Sequence, residues 1–77
     1  MPKWNPCKRQ DFIRRMRRLG FDGVYPGAKH QFMVFGENRL TLPSNEDYSV
    51  PQLRMMIRVV EGLIGREIIL DEWSQLG

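Results

Sequence analysis

The chain has one cysteine, Cys7, and one histidine, His30, among its 77 residues. A lone thiol excludes an internal disulfide, and two nitrogen or sulfur ligands are too few for a zinc site, which takes about four. Carboxylate-bound magnesium stays open. No apolar run approaches the roughly 20 residues of a membrane span. The start, Met1-Pro2-Lys3-Trp4-Asn5-Pro6, holds no apolar stretch like that of a secretory signal. The sequence therefore predicts a cytoplasmic protein with no membrane anchor, no metal and no cofactor. Internal repeats, low-complexity tracts and interdomain linkers are also missing.

Length sets a second bound. A chain of 77 residues is one domain, and at this size only roughly 60% of the unfolded surface is buried. A deep enclosed cavity does not fit, so a working site is shallow and its partner is a polymer or a protein surface.

Charge is unevenly spread. Residues 1–20 hold seven basic side chains (Lys3, Lys8, Arg9, Arg14, Arg15, Arg17, Arg18) against Asp11, a balance of +6. The other 57 residues carry five basic and eight acidic groups, a balance of −3. A basic segment on a near-neutral body attracts polyanions, and phosphate contacts supply most of the salt-sensitive affinity for nucleic acid. The plainer reading of the same charges is a solvated helix face.

Phe12, Ile13, Met16 and Leu19 recur on one stripe and predict a helix over 8–19, with the arginines off the stripe and Gly20 as its left-handed cap. Three strands follow, over 21–25, 30–35 and 39–42. The first two are separated by Pro26-Gly27, and the last two by the tight loop Gly36-Glu37-Asn38. A polar loop over 43–48 leads to a second helix capped by Ser49, with Pro51 in its first turn, running to about Glu61. Val50, Leu53, Ile57 and Val60, with Met56 beside them, form its apolar stripe. Ile68-Ile69-Leu70 reads as extended chain, followed by a short helix capped near Asp71. The resulting fold class is α+β: α-β-β-β-α, both helices on one face of a three-stranded antiparallel sheet, with a short C-terminal extension. That order is the order of the double-stranded-RNA-binding fold.

Four fragments in this order carry a resemblance: Lys8-Arg9-Gln10-Asp11-Phe12-Ile13-Arg14, Leu19-Gly20-Phe21, Gly27-Ala28-Lys29-His30 and Leu40-Thr41-Leu42-Pro43 with the helix after it. The chain resembles the HicA family over about residues 8–61, leaving 62–77 as the extension. HicA proteins are small toxins of type II toxin-antitoxin pairs, mRNA-cleaving ribonucleases with a double-stranded-RNA-binding-like fold, inhibited by a HicB antitoxin. The resemblance implies an mRNA-cleaving endoribonuclease with a HicB-like antitoxin as partner, His30 as the catalytic histidine and Gly27 as the turn glycine. Many family members carry a further histidine or a small polar residue beside the catalytic one, where this chain has Ala28 and Lys29. It also adds the acidic tail of Glu61, Glu67, Asp71 and Glu72 against Arg66.

Metal-free RNA cleavage needs a base for the 2'-hydroxyl, stabilisation of phosphorane charge and an acid for the leaving oxygen. Imidazole is the side chain suited to such proton transfers near neutrality, which makes His30 the candidate catalyst. Lys8, Arg14, Arg15, Arg18, Gly27 and Lys29 form the candidate nucleic-acid surface, with Lys29 as a phosphate holder. No second acid or base stands out, and water, the RNA or Tyr25 is left to assist. If Lys29 and His30 both lie in a strand, alternation sends them to opposite faces.

Other readings stay in view. A histidine at a strand start is commonly a surface residue, and the chain then becomes a noncatalytic nucleic-acid or protein interaction module. Cys7 reads as a free thiol. Phe32, Phe35, Met33, Met55 and Met56 read as packing, although an aromatic ring on the open sheet face can stack an unpaired base. Trp4 and Trp73 read as clamps for the termini, and Asp71-Glu72 as charge at a helix start.

Overall fold

The apolar stripes partition the chain as expected in the computed structural model, which describes residues 3–77. Met1 and Pro2, the first residues of the segment read for a secretory signal, lie outside the described residues. The elements run β1 (Cys7–Lys8), α1 (Arg9–Leu19), β2 (Asp22–Tyr25), β3 (Phe32–Phe35), β4 (Asn38–Thr41), β5 (Asp47–Tyr48), α2 (Val50–Ile64) and α3 (Leu70–Gln75). Strands β2, β3 and β4 form an antiparallel meander.

Phe12, Ile13 and Met16 of α1 are buried, and Gly20 closes the helix in the left-handed region at φ 113°. The Gly20 N–H donates to the Arg17 carbonyl (3.1 Å) and the Phe21 N–H to that of Met16 (3.0 Å), which satisfies the last turn. In α2, Leu53, Met56, Ile57 and Val60 are buried, and the Ser49 hydroxyl accepts the Gln52 N–H at 3.3 Å. Residues from both helices join Met33 and Leu40 of the sheet in one core. Both helices thus cover the face that Met33 and Leu40 line. Among the described residues no helix is long and apolar enough to cross a membrane.

Several expected boundaries shift, each for a local reason. Lys8 does not begin the helix. It is extended and pairs with Asp47, while Cys7 pairs with Tyr48, so the loop over 43–48 contributes a strand. Tyr48 is fully buried; its hydroxyl donates to the Pro43 carbonyl at 2.8 Å, and its ring meets Phe12 edge-on at 5.6 Å. Asn38 belongs to β4, because Gly36-Glu37 alone makes the turn between paired Phe35 and Asn38. Helix α2 continues past Glu61 to Ile64 and stops at left-handed Gly65. Asp71 lies in the first turn of α3 rather than at its cap, which is Ile69 without a side-chain bond. Most consequential is the second strand, which starts at Phe32 and leaves His30 in the connection over 26–31.

The C-terminal extension docks through Trp73 and adds no strand. Trp73 is buried beside Phe12 (6.0 Å between rings) and Trp4 (6.2 Å). Glu61 accepts the Ile68 N–H at 2.7 Å, and Arg66 grips Glu72 through two bonds of 2.7 Å. These contacts hold 65–75 against the helices.

Candidate functional site

A cleft of about 570 Å³ opens where three segments meet. Lys8 contributes from β1, Arg9 and Gln10 from the start of α1, Lys29, His30 and Gln31 from the connection before β3, and Leu42, Ser44, Glu46 and Asp47 from the chain after β4. Arg9 ties the three together. Its backbone N–H donates to the Glu46 carbonyl (2.8 Å), its Nε to the Pro43 carbonyl (3.3 Å), and its Nη2 to the Gln31 side-chain oxygen. The Leu42 N–H donates to the Gln31 carbonyl at 2.9 Å, extending the strand pairing to the edge of the cleft.

The connection carrying His30 is shaped by Gly27. A Cβ at that position would lie 2.1 Å from the His30 carbonyl oxygen, so the chain doubles back at a spacing only glycine permits. Gly27 is thereby a residue that shapes the loop holding His30. Because Lys29 and His30 both precede the strand, the pleat does not separate them. Both are exposed and both line the cleft.

The basic residues of α1 divide into two groups. Lys8, just ahead of the helix, stands exposed in the cleft, and Arg14, Arg17 and Arg18 lie along one exposed face leading away from it. On that face Arg14 pairs with Asp11 at 3.1 Å, and Arg17 Nε donates to the Gly23 carbonyl at 2.9 Å. Arg15, expected as a phosphate contact, lies against α3. Its guanidinium lies 4.7 Å from the centre of the Trp73 ring, Nη1 donates to the Trp73 carbonyl, and Nε is buried with no partner among the described residues. The helical phase turns Arg15 toward α3, where an aromatic face and a carbonyl hold it.

Arg9, Gln31, Glu46 and Asp47 enter the site from the structure. In the sequence Arg9 counts only within the basic segment, Gln31 follows His30 directly in the chain, and Glu46 and Asp47 are brought in by the long-range pairing of β1 with β5 and of Arg9 with the loop. Three cations and two carboxylates line the cleft with the imidazole, which suits a site that holds phosphate and moves protons. Tyr25 is not among the lining residues; its ring packs on Phe32 at 5.7 Å on the sheet. Cys7 is buried, its Sγ donating to the Lys8 carbonyl at 3.4 Å, and burial pushes its thiol pKa up, the opposite of what activates a nucleophile. Among the described residues no group of three His, Cys, Asp or Glu side chains is placed to hold a metal ion. No family model, curated protein or solved structure matches the chain.

Proposed function

We propose that this chain is a HicA-like RNA-binding toxin: a metal-independent endoribonuclease that cleaves mRNA in the cytoplasm with His30 and is neutralised by a HicB-like antitoxin. The observation that carries the reading is the convergence of His30 and Lys29 with Lys8 and Arg9 in one open cleft. The helix, antiparallel meander, helix order supports the double-stranded-RNA-binding-like assignment.

In this reading the RNA backbone lies across the cleft with its phosphates against Lys8 and Lys29. Arg14 and Arg18 extend the track along α1, while Arg9 fixes the walls. His30 performs one proton transfer, either from the 2'-hydroxyl or to the leaving 5'-oxygen. Glu46 and Asp47 are the carboxylates that line the cleft with it and share the proton transfers, a part the sequence left to water, the RNA or Tyr25. Lysine charge beside the scissile phosphate offsets the charge that develops on it.

The test is induction of wild type and His30→Ala in a bacterial host, following growth and full-length transcripts. Growth arrest and transcript loss with wild type alone are expected. Equal growth and intact transcripts, with both proteins soluble and folded, would overturn the ribonuclease and leave a noncatalytic interaction module.

A further inference from the structure

We propose that the outer face of the β2–β3–β4 sheet is a stacking platform for an unpaired base of the RNA whose backbone occupies the cleft. The proposal rests on the RNA reading above and adds a second subsite, specific for single strands.

Strand alternation gives the sheet two unlike faces. Met33 and Leu40 point into the core at 0% and 2% exposure, whereas their neighbours Phe32 and Arg39 point the other way. A bulge in β2 completes the outer face. Asp22 pairs with Val34 and Tyr25 with Phe32, so Gly23 and Val24 together oppose Met33, with Gly23 at φ 127°. A Cβ on Gly23 would sit 3.2 Å from the Phe32 carbonyl oxygen, which ties this irregularity to glycine. The extra residue puts Tyr25 on the same face as Phe32, their ring centres 5.7 Å apart and tilted by 37°. Tyr25 remains 43% exposed.

Charge favours a nucleic acid there. The Arg39 guanidinium lies 4.4 Å from the centre of the Phe32 ring, reached diagonally across the strands. Unpaired bases stack on aromatic rings and on guanidinium planes alike, so Tyr25 and Arg39 offer adjoining surfaces, one apolar and one cationic. Asp22 shares this face, in one row with Val34 and Arg39, but the Arg39 guanidinium reaches away from that row to the Phe32 ring, and Glu37 lies in the hairpin turn at the far end of the sheet from the connection over 26–31.

Position links the platform to the catalytic candidate. The connection bearing Lys29 and His30 starts directly after Tyr25 and ends directly before Phe32. His30 is thus within about 7 Å of chain from Phe32. The virtual Cβ of Gly27 also lies 3.5 Å from the Phe32 ring, so the loop folds onto the edge of the platform. A strand of RNA with its phosphate at Lys29 has the platform beside it, and a base reaches the rings only when it is unpaired.

The test measures binding of a short fluorescein-labelled single-stranded RNA to the full chain carrying His30→Ala, which keeps the RNA intact. The same RNA as a duplex, and with abasic residues, serves for comparison. Tyr25→Ala is expected to weaken single-strand binding about tenfold, with Tyr25→Phe restoring it, and to leave duplex and abasic binding nearly unchanged. Arg39→Gln, confirmed folded by circular dichroism, is expected to weaken the single strand as well. An unchanged single-strand affinity in Tyr25→Ala, or an equal loss for abasic RNA, would overturn the platform while leaving the cleft reading intact. Self-association of the chain that Tyr25→Ala abolishes would overturn it in favour of a second copy as occupant. Failure of the His30→Ala chain to bind any of the three RNAs at low salt would remove the RNA reading and the platform together.

Discussion

The start and the middle of helix α1 put the same residue types to different uses. At its start, Lys8 and Arg9 border an open cleft; Lys8 is exposed, and Arg9 braces three segments through bonds to Pro43, Glu46 and Gln31. In its middle, Arg15 is folded against Trp73 from the C-terminal extension. A count of positive charges on a helix therefore overstates the charge available to a polyanion. Helical phase decides which cations meet solvent, and aromatic faces and backbone carbonyls can retain the others.

The strongest way to break this contrast is to remove what holds Arg15. Trp73→Ala deletes a buried ring that touches Phe12, Trp4 and Arg15, and an aromatic-to-alanine change in a core costs about 3–5 kcal/mol. For a domain this short that is a large part of the total stability. Urea unfolding is expected to show a sharply lowered midpoint; an unchanged midpoint would mean that the extension is not part of the core.

A paired comparison sharpens the contrast without large damage. Arg15→Ala is expected to lower stability by about 1 kcal/mol, the scale of one cation–π contact, and to leave the salt dependence of RNA binding as it was. Lys29→Ala is expected to do the reverse, with stability within about 0.5 kcal/mol of wild type and a salt slope shallower by about 0.7, one single-strand phosphate contact. Titrating binding against salt alongside urea unfolding separates the two residues. Loss of salt slope in Arg15→Ala would place Arg15 among the phosphate contacts after all.

The smallest effect concerns the anchor of α3. Hydrogen bonds from Arg66 hold the Glu72 carboxyl below its ordinary value of 4.5. A carboxylate with a lowered folded value adds stability that is fully present above that ordinary value and is lost as pH falls through the folded one. Both side chains reach solvent, which screens the pair and keeps the contribution small. Glu72→Gln is expected to have a slightly lower urea midpoint than wild type at neutral pH, with the difference closing on acidification below 4.5.

Much of the fold was legible because it is local. The stripes of Phe12, Ile13 and Met16, and of Leu53, Met56, Ile57 and Val60, bury as periodicity demands, and Gly20 and Ser49 end and begin helices as caps do. Strand ends were less legible. His30 was placed in β3, yet pairing begins at Phe32, because Gly27 turns the chain back against the His30 carbonyl. The candidate site was read in part: Lys8, Lys29 and His30 do line one cleft, and Arg14 and Arg18 are exposed on the helix beyond it. Arg9, Gln31, Glu46 and Asp47 were not singled out, since their roles depend on partners distant in the chain. Phe32 reads as packing, with base stacking left open for a ring on the open sheet face; register turns it to the face opposite Met33, under Arg39.

By itself the sequence determined the helices, the number of strands in the meander, the basic start and the lone imidazole, because apolar spacing, capping residues and composition act over a few neighbouring residues. Only the tertiary structure decided which cations remain free, which walls surround His30 and which rings share a sheet face. Those outcomes depend on register and on contacts across the chain, such as Tyr25 with Phe32, Arg15 with Trp73 and Arg9 with Glu46, and a one-residue change in register reverses every side chain of a strand.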